Sequence, residues 1–154
     1  MIKVLFICHG NICRSTMAEF LMKDMVRKAY CEAEFHVESA ATSREEIGND
    51  IHWGTKAKLR EAGVPFERHS ARQVTVDDYE KFDYLIVMDR ENIRSLFRII
   101  GADPENKVCK LLDFAGSDRD IADPWYTGNF DDTYNDIMEG LTGLCSCLGI
   151  PLRF

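Results

Sequence analysis

The segment Val4-Leu5-Phe6-Ile7-Cys8-His9-Gly10-Asn11-Ile12-Cys13-Arg14-Ser15 decides how the rest of the chain is read. Its first four residues are wholly apolar, the pattern of a central parallel strand covered on both faces. A polar loop follows. Beyond it Met17, Phe20, Leu21 and Met25 fall at helical spacing and form one apolar stripe. The segment is therefore strand, loop and helix, with Cys8 just after the strand, where open parallel sheets bind ligands.

The alternation continues outward from this unit. Phe35-His36-Val37-Glu38 reads as a second strand, and a weaker helical pattern spans Trp53 to Ala62, where Gly63 can stop it. Tyr84-Leu85-Ile86-Val87-Met88 is a third apolar run. The helix after it carries Ile93, Leu96, Phe97 and Ile100 on one face, and Val108 to Leu112 supplies a fourth strand. The clearest period belongs to the last helix, with Tyr134, Ile137, Met138, Leu141, Leu144, Cys145 and Leu148. Such alternation predicts an α/β fold, a parallel sheet flanked by helices on both faces. No repeat, low-complexity tract or linker interrupts it, so residues 1–154 read as one domain.

Bulk properties exclude several classes. A formal net charge of -7 argues against a general nucleic-acid binder, which needs a basic face. No stretch approaches the roughly 20 apolar residues that span a bilayer. Met1 to Ile7 holds neither a secretory apolar core nor a cleavage site, so a cytoplasmic protein without membrane attachment is expected. The cysteines Cys8, Cys13, Cys31, Cys109, Cys145 and Cys147 show no secreted-scaffold rhythm and no Cys-x-x-Cys pair. Free thiols of a reducing compartment fit them best.

The loop reads as a device for gripping a phosphate. Its place before a helix N-terminus puts unpaired N–H groups and a positive dipole end beside it. Gly10 permits backbone conformations closed to other residues, and Asn11 tolerates the left-handed region. Arg14 offers a planar fork for two phosphate oxygens. Cys8 at the base would be the nucleophile, its thiolate supported by the amides, Arg14 and the Ser15 hydroxyl. An ordinary thiol is already roughly 3% ionised at pH 7, so complete ionisation multiplies the nucleophile only about 30-fold. Phosphate monoester hydrolysis needs far more than that. The loop must act chiefly by holding the phosphoryl group in line and neutralising its equatorial oxygens.

A leaving oxygen also needs a proton. Asp123 in Asp123-Pro124-Trp125-Tyr126 is the candidate donor: Pro124 stiffens the loop, and Trp125 and Tyr126 can wall a flat ring. The bland alternative is an Asx-Pro turn with no chemistry. Cys13 packs behind the loop or pairs with Cys8, since a curled loop can bring two Cα atoms within roughly 7 Å. His9 and Ile12 read as residues of the pocket mouth, and His36 and His52 as structural or surface residues. Cys145 continues an apolar helix face, and no metal site is expected.

The loop, with Met17-Ala18-Glu19 after it, closely resembles low-molecular-weight protein tyrosine phosphatases. The likeness extends through Ser39-Ala40-Ala41-Thr42-Ser43, Ile47-Gly48-Asn49, His69-Ser70-Ala71-Arg72-Gln73, Phe82-Asp83-Tyr84, Met88-Asp89 and Asp123-Pro124. It implies a four-stranded parallel sheet of the phosphotyrosine protein phosphatase I-like, Rossmann-like three-layer type. It further implies a phosphocysteine on Cys8, phosphate binding by Arg14, and Asp123 as acid and then base. Asn11, Ser15, Ser39 and His69 become the network that shapes the loop. No cofactor is implied; the substrates are phosphotyrosine proteins or small aryl phosphates, and a monomer or weak self-association is expected. Reversible oxidation with Cys13 as partner of Cys8 is implied as well.

Two positions depart from the family pattern. Thr16 stands where proline is usual, and Glu45 stands where many relatives carry an aromatic. Trp125 is then the main aromatic wall, and Glu45 with Glu46 gives a rim that disfavours acidic phosphopeptides. Competing readings are a thiol-dependent arsenate reductase, a phosphoarginine phosphatase and a phosphate-binding module without turnover. The first needs further redox cysteines near the loop. The second, by family analogy, often carries threonine where this chain has Ile12.

If Asp123 donates the proton, activity is greatest on the acidic side of neutrality. A rate that stays flat between about pH 5 and about pH 8 removes Asp123 from that role.

Overall fold

The apolar runs pair side by side. In a computed structural model, which describes residues 1–152, β1 (Ile2–Cys8), β2 (Phe35–Ala41), β3 (Tyr84–Val87) and β4 (Val108–Lys110) form a parallel sheet in the order β2-β1-β3-β4. In register, Val4 lies between Val37 and Tyr84, and Phe6 between Ser39 and Ile86. The helices are α1 (Arg14–Lys28), α2 (Trp53–Glu61), α3 (Val76–Lys81), α4 (Arg90–Ile100), α5 (Pro124–Thr127) and α6 (Phe130–Cys147).

Side-chain alternation explains why β1 is apolar throughout. Val4, Phe6 and Cys8 join the cluster built with Met17, Leu21, Leu141 and Leu144 of α1 and α6. Leu5 and Ile7 point the other way, into Val74, Phe82, Leu85, Val87 and Leu96. A strand with helices on both faces has no solvated side to be polar on. The first crossover runs from β1 to β2, and the chain then returns to the opposite side of β1 as β3. This reversal places the topological switch point at the carboxyl end of β1, beside Cys8.

Several boundaries differ from the sequence expectation. The fourth strand stops at Lys110, and Leu111–Ala115 form a 3₁₀ turn instead. The Asp113 carboxylate accepts the Lys110 N–H at 2.8 Å and curls the chain away from the sheet. Leu111 and Leu112 are apolar because they lie buried beneath α6, where Gly140 and Gly143 let the turn approach closely. The second strand runs on through Ser39-Ala40-Ala41, whose small side chains carry no hydrophobic signal. The third strand ends at Val87, since the Met88 N–H is taken by Asn92 Oδ1 at 3.0 Å.

Gly63 does terminate α2: it sits at φ +71°, with the Val64 N–H returned to Leu59. Leu148 is the cap of α6 and not its last turn. The short polar α3 and the four-residue α5 left no periodic signal. Among the described residues no helix is long and apolar enough to cross a membrane.

Candidate active site

β1 delivers Cys8 buried at the carboxyl end of the sheet, and α1 begins at Arg14, so Cys8 to Cys13 must turn back within a few residues. The turn is made at Asn11, which sits at φ 60° in the left-handed region. Gly10 is not at positive φ, contrary to the sequence reading; a Cβ there would meet Glu46 at 3.4 Å, an ordinary contact. Asn11 is fully buried and its amide is used on both sides. Nδ2 donates to Ser15 Oγ at 2.8 Å and to Ser39 Oγ at 2.9 Å. Oδ1 accepts the Arg72 N–H at 3.2 Å and lies 2.9 Å from His69 Nε2.

This network brings together all four residues expected to shape the loop. It also contains one the sequence reading passed over: Ser39 Oγ donates to Glu19 Oε1 at 2.5 Å. Glu19 is buried, and the signal for it was a carboxylate among the inward positions of α1. His69 Nε2 faces two acceptors, Asn11 O at 3.1 Å and Asn11 Oδ1, so Nε2 carries the proton in neutral imidazole. Burial pushes the His69 pKa below the ordinary imidazole value, against the opposing pull of Glu19 and the Asn11 carbonyl.

Cys8 Sγ lies 3.1 Å from Ser15 Oγ and receives the Asn11 N–H at 3.4 Å. Ser15 Oγ already accepts from Asn11, so its own proton is free to turn toward a thiolate. Cys13 has a different environment. Burial first, then the negative charges of Cys8 and Asp123, push its pKa up to about 12, so it is a neutral thiol. Cys13 O accepts from Thr16 Oγ1 at 3.0 Å and Thr55 Oγ1 at 3.2 Å. Thr16 thereby ties the first turn of α1.

Arg14 is 2% exposed despite its charge. Nη1 donates to Asp89 Oδ2 at 2.6 Å and to Ile121 O at 2.9 Å, and Nη2 lies 3.4 Å from Asp123 Oδ2. Nε has no hydrogen-bond partner, the one such buried side-chain polar atom among the described residues. Asp89 is the second residue that sequence reasoning did not assign. It caps α4 through Oδ1, which accepts the Asn92 N–H at 2.8 Å, and turns Oδ2 to Arg14. The signal was legible as Asp89-x-x-Asn92, a capping box at the end of a strand.

Asp123 likewise does two things. It caps α5, with Oδ1 accepting the Trp125 N–H at 3.0 Å, while Oδ2 faces Arg14. The turn-forming role and the site role are therefore not alternatives. Cys8 and Asp123 line the same cavity, of about 90 Å³, with His9, Gly10, Ile12, Cys13, Glu45, Glu46, Trp125 and Tyr126. The rim is open, with Trp125 57% and Tyr126 81% exposed. Glu45 Oε2 reaches His9 Nε2 at 2.8 Å across it. No cluster able to hold a metal is found among the described residues.

A buried cysteine, arginine and distant aspartate gathered at the switch point of a parallel sheet define a phosphatase-class hydrolase. The pattern described as low molecular weight phosphotyrosine protein phosphatase matches residues 3–150, and the chain belongs to that family. It is 42% identical over 150 residues to the low molecular weight protein-tyrosine-phosphatase YfkJ of Bacillus subtilis, covering 96% of each chain. The crystal structure of YfkJ superposes with a TM-score of 0.93 over 97% of this chain and 95% of that one. The human low molecular weight phosphotyrosine protein phosphatase is 38% identical over 134 residues, 83% of this chain and 82% of that protein. A Drosophila arginine phosphatase has a TM-score of 0.86 at 27% identity, with 96% and 98% of the two chains covered.

The depressed His69 pKa carries a stability consequence. The unfolded imidazole, near pKa 6.5, takes up its proton before the folded one does. The contribution is thus complete above about pH 6.5 and is lost as pH falls toward and through the folded value. Thermal unfolding of His69→Gln is expected to start from a lower Tm near pH 7.5 but to lose less between about pH 7 and about pH 5. Parallel Tm curves for the two proteins exclude this role.

Proposed function

We propose that this protein hydrolyses phosphotyrosine and small aryl phosphates in two displacements, acting as one domain in the cytoplasm. The observation that carries the reading is the single cavity lined by Cys8 and Asp123, with buried Arg14 contacting Asp123 behind it. In the first step Cys8 Sγ attacks phosphorus as Asp123 protonates the departing phenolate, leaving a phosphocysteine and a free phenol. In the second, Asp123 takes a proton from water, whose oxygen attacks phosphorus, releasing phosphate and restoring the thiolate.

Arg14 and the loop neutralise the equatorial oxygens in both transition states. The unpaired Arg14 Nε is a donor already desolvated and held, so no reorganisation is needed when charge develops. Ile12 and Trp125 present apolar surface to a leaving ring. Ser15, with its proton available to sulfur, stabilises Cys8 as nucleophile and as leaving group.

A second reading is phosphoarginine hydrolysis, favoured by one feature: Glu45 and Glu46 both line the cavity and suit a cationic guanidinium. Ile12 opposes it, offering neither charge nor hydroxyl at the mouth. Arsenate reduction is disfavoured because the remaining cysteines are poorly placed for a relay. Cys109 lies on β4, two strands from β1, with its pKa pushed up to about 12 by burial. Cys145 packs against Met25 in the core, pushed up to about 11 for the same reason.

Cys13 lines the same cavity as Cys8 and is proposed as its redox partner. Were peroxide to convert Cys8 to a sulfenic acid, attack by the Cys13 sulfur would give the Cys8–Cys13 disulfide and release water.

Phosphate release from an aryl phosphate is expected to exceed that from phosphoarginine, and Cys8→Ser to lower it by at least about 10³-fold. Faster release from phosphoarginine reverses the substrate assignment, and unchanged selectivity in Glu45→Trp removes the rim from it. After peroxide and then a thiol reductant, wild type is expected to recover more activity than Cys13→Ser; equal recovery rules out the protective disulfide.

A further inference from the structure

His52 reads from sequence as a structural or surface residue, yet it joins both halves of the site. Its backbone N–H donates to Ile12 O of the phosphate loop at 2.9 Å. Its ring Nδ1 accepts the Gly54 N–H at 3.0 Å and so caps α2. The same ring stacks on Phe130, with centroids 5.3 Å apart and planes 17° apart. It also meets Trp125 edge-on, at 5.6 Å and 75°.

That last contact matters because of what Trp125 does. Its backbone N–H donates to Asp123 Oδ1 at 3.0 Å within the same short loop, so a shift of the loop at Trp125 carries the carboxylate with it. Trp125 is mostly exposed, and His52 is its one ring contact among the described residues. The aromatic platform is itself tightly constrained: a Cβ at Gly54 would collide with the Phe130 ring that supports His52. A backbone hydrogen bond links His52 to the phosphate loop, and a ring contact links it to the acid loop.

We propose that His52 is a positioning residue that couples the two loops and holds Asp123 in register with Cys8. The proposal rests on the reading of Asp123 as proton donor. Displacing a catalytic group by about 1 Å can cost on the order of 10²-fold, so a lost ring contact has room to act. The effect must also be selective. A misplaced acid slows departure of poorly acidic phenols, whereas a strongly acidic phenol leaves without its help.

The test is kcat/KM, which reports the first displacement, across aryl phosphates whose phenols span a range of acidity. Asp123→Asn is the reference and is expected to make the dependence on phenol acidity steep. His52→Asn keeps an acceptor for the Gly54 N–H but removes the ring. It is expected to lower kcat/KM about 10-fold for the least acidic phenol and less than about 2-fold for the most acidic. His52→Phe, which keeps a ring and loses the cap, is expected to hold the wild-type dependence at a lower Tm.

A uniform loss across the series in His52→Asn, or no loss, overturns the proposal and leaves His52 a packing residue. So does a steep dependence in His52→Phe. If Asp123→Asn itself stays shallow, the acid assignment has failed and takes the positioning role with it. Should His52→Asn fold poorly, Phe130→Leu removes the ring beneath His52 and is read by the same series.

Discussion

A guanidinium taken out of water organises this molecule. Removing a charge from solvent costs several kcal/mol even after relaxation, and the cost must be met by close partners. For Arg14 those partners are Asp89, the Ile121 carbonyl and Asp123. Burial works against its charge, but Cys8, Asp89 and Asp123 outweigh it and hold its pKa above the ordinary value. Cys8 ends β1, Asp89 lies at the start of α4, and Ile121 and Asp123 share the loop before α5. None can shift without uncovering a buried charge, so the geometry and the stability of the site are the same set of contacts.

Asn11 imposes the second constraint. A non-glycine residue in the left-handed region costs roughly 1–2 kcal/mol and persists only where its surroundings over-determine it. Here Ser15 and Ser39 accept from its amide nitrogen, and Arg72 and His69 bind its oxygen. Asparagine serves better than glycine because the turn needs a side chain with both donors and acceptors. The network around Asn11 is thus satisfied before any substrate arrives, which is the condition for electrostatic preorganisation. The rim is different in kind: Glu45, Trp125 and Tyr126 are exposed.

Much of the fold was legible because both-face burial leaves a mark in composition. Val4 to Ile7 and Tyr84 to Val87 are apolar runs since helices cover each side. Elements with no such burial asymmetry were not legible. The extension of β2 through Ser39 is made of small residues, and α3 and α5 are too short to show a period. Leu111 and Leu112 misled in the opposite direction. Their apolar character reports burial under α6, and burial alone does not distinguish a strand from a turn.

The same division runs through the site. Sequence by itself singled out Cys8, Arg14 and Asp123 for the roles proposed above, because they sit in short local patterns whose chemistry is readable within a few residues. It also determined the parallel sheet that puts Cys8 at a strand end. Only the tertiary structure decided who holds these groups. Asp89, Glu19 and His52 act through contacts made across 75, 20 and 73 positions of chain, with Arg14, Ser39 and Trp125 respectively. Hydrogen bonds and ring contacts over such spans exist only once the sheet has closed, so no local pattern announces them.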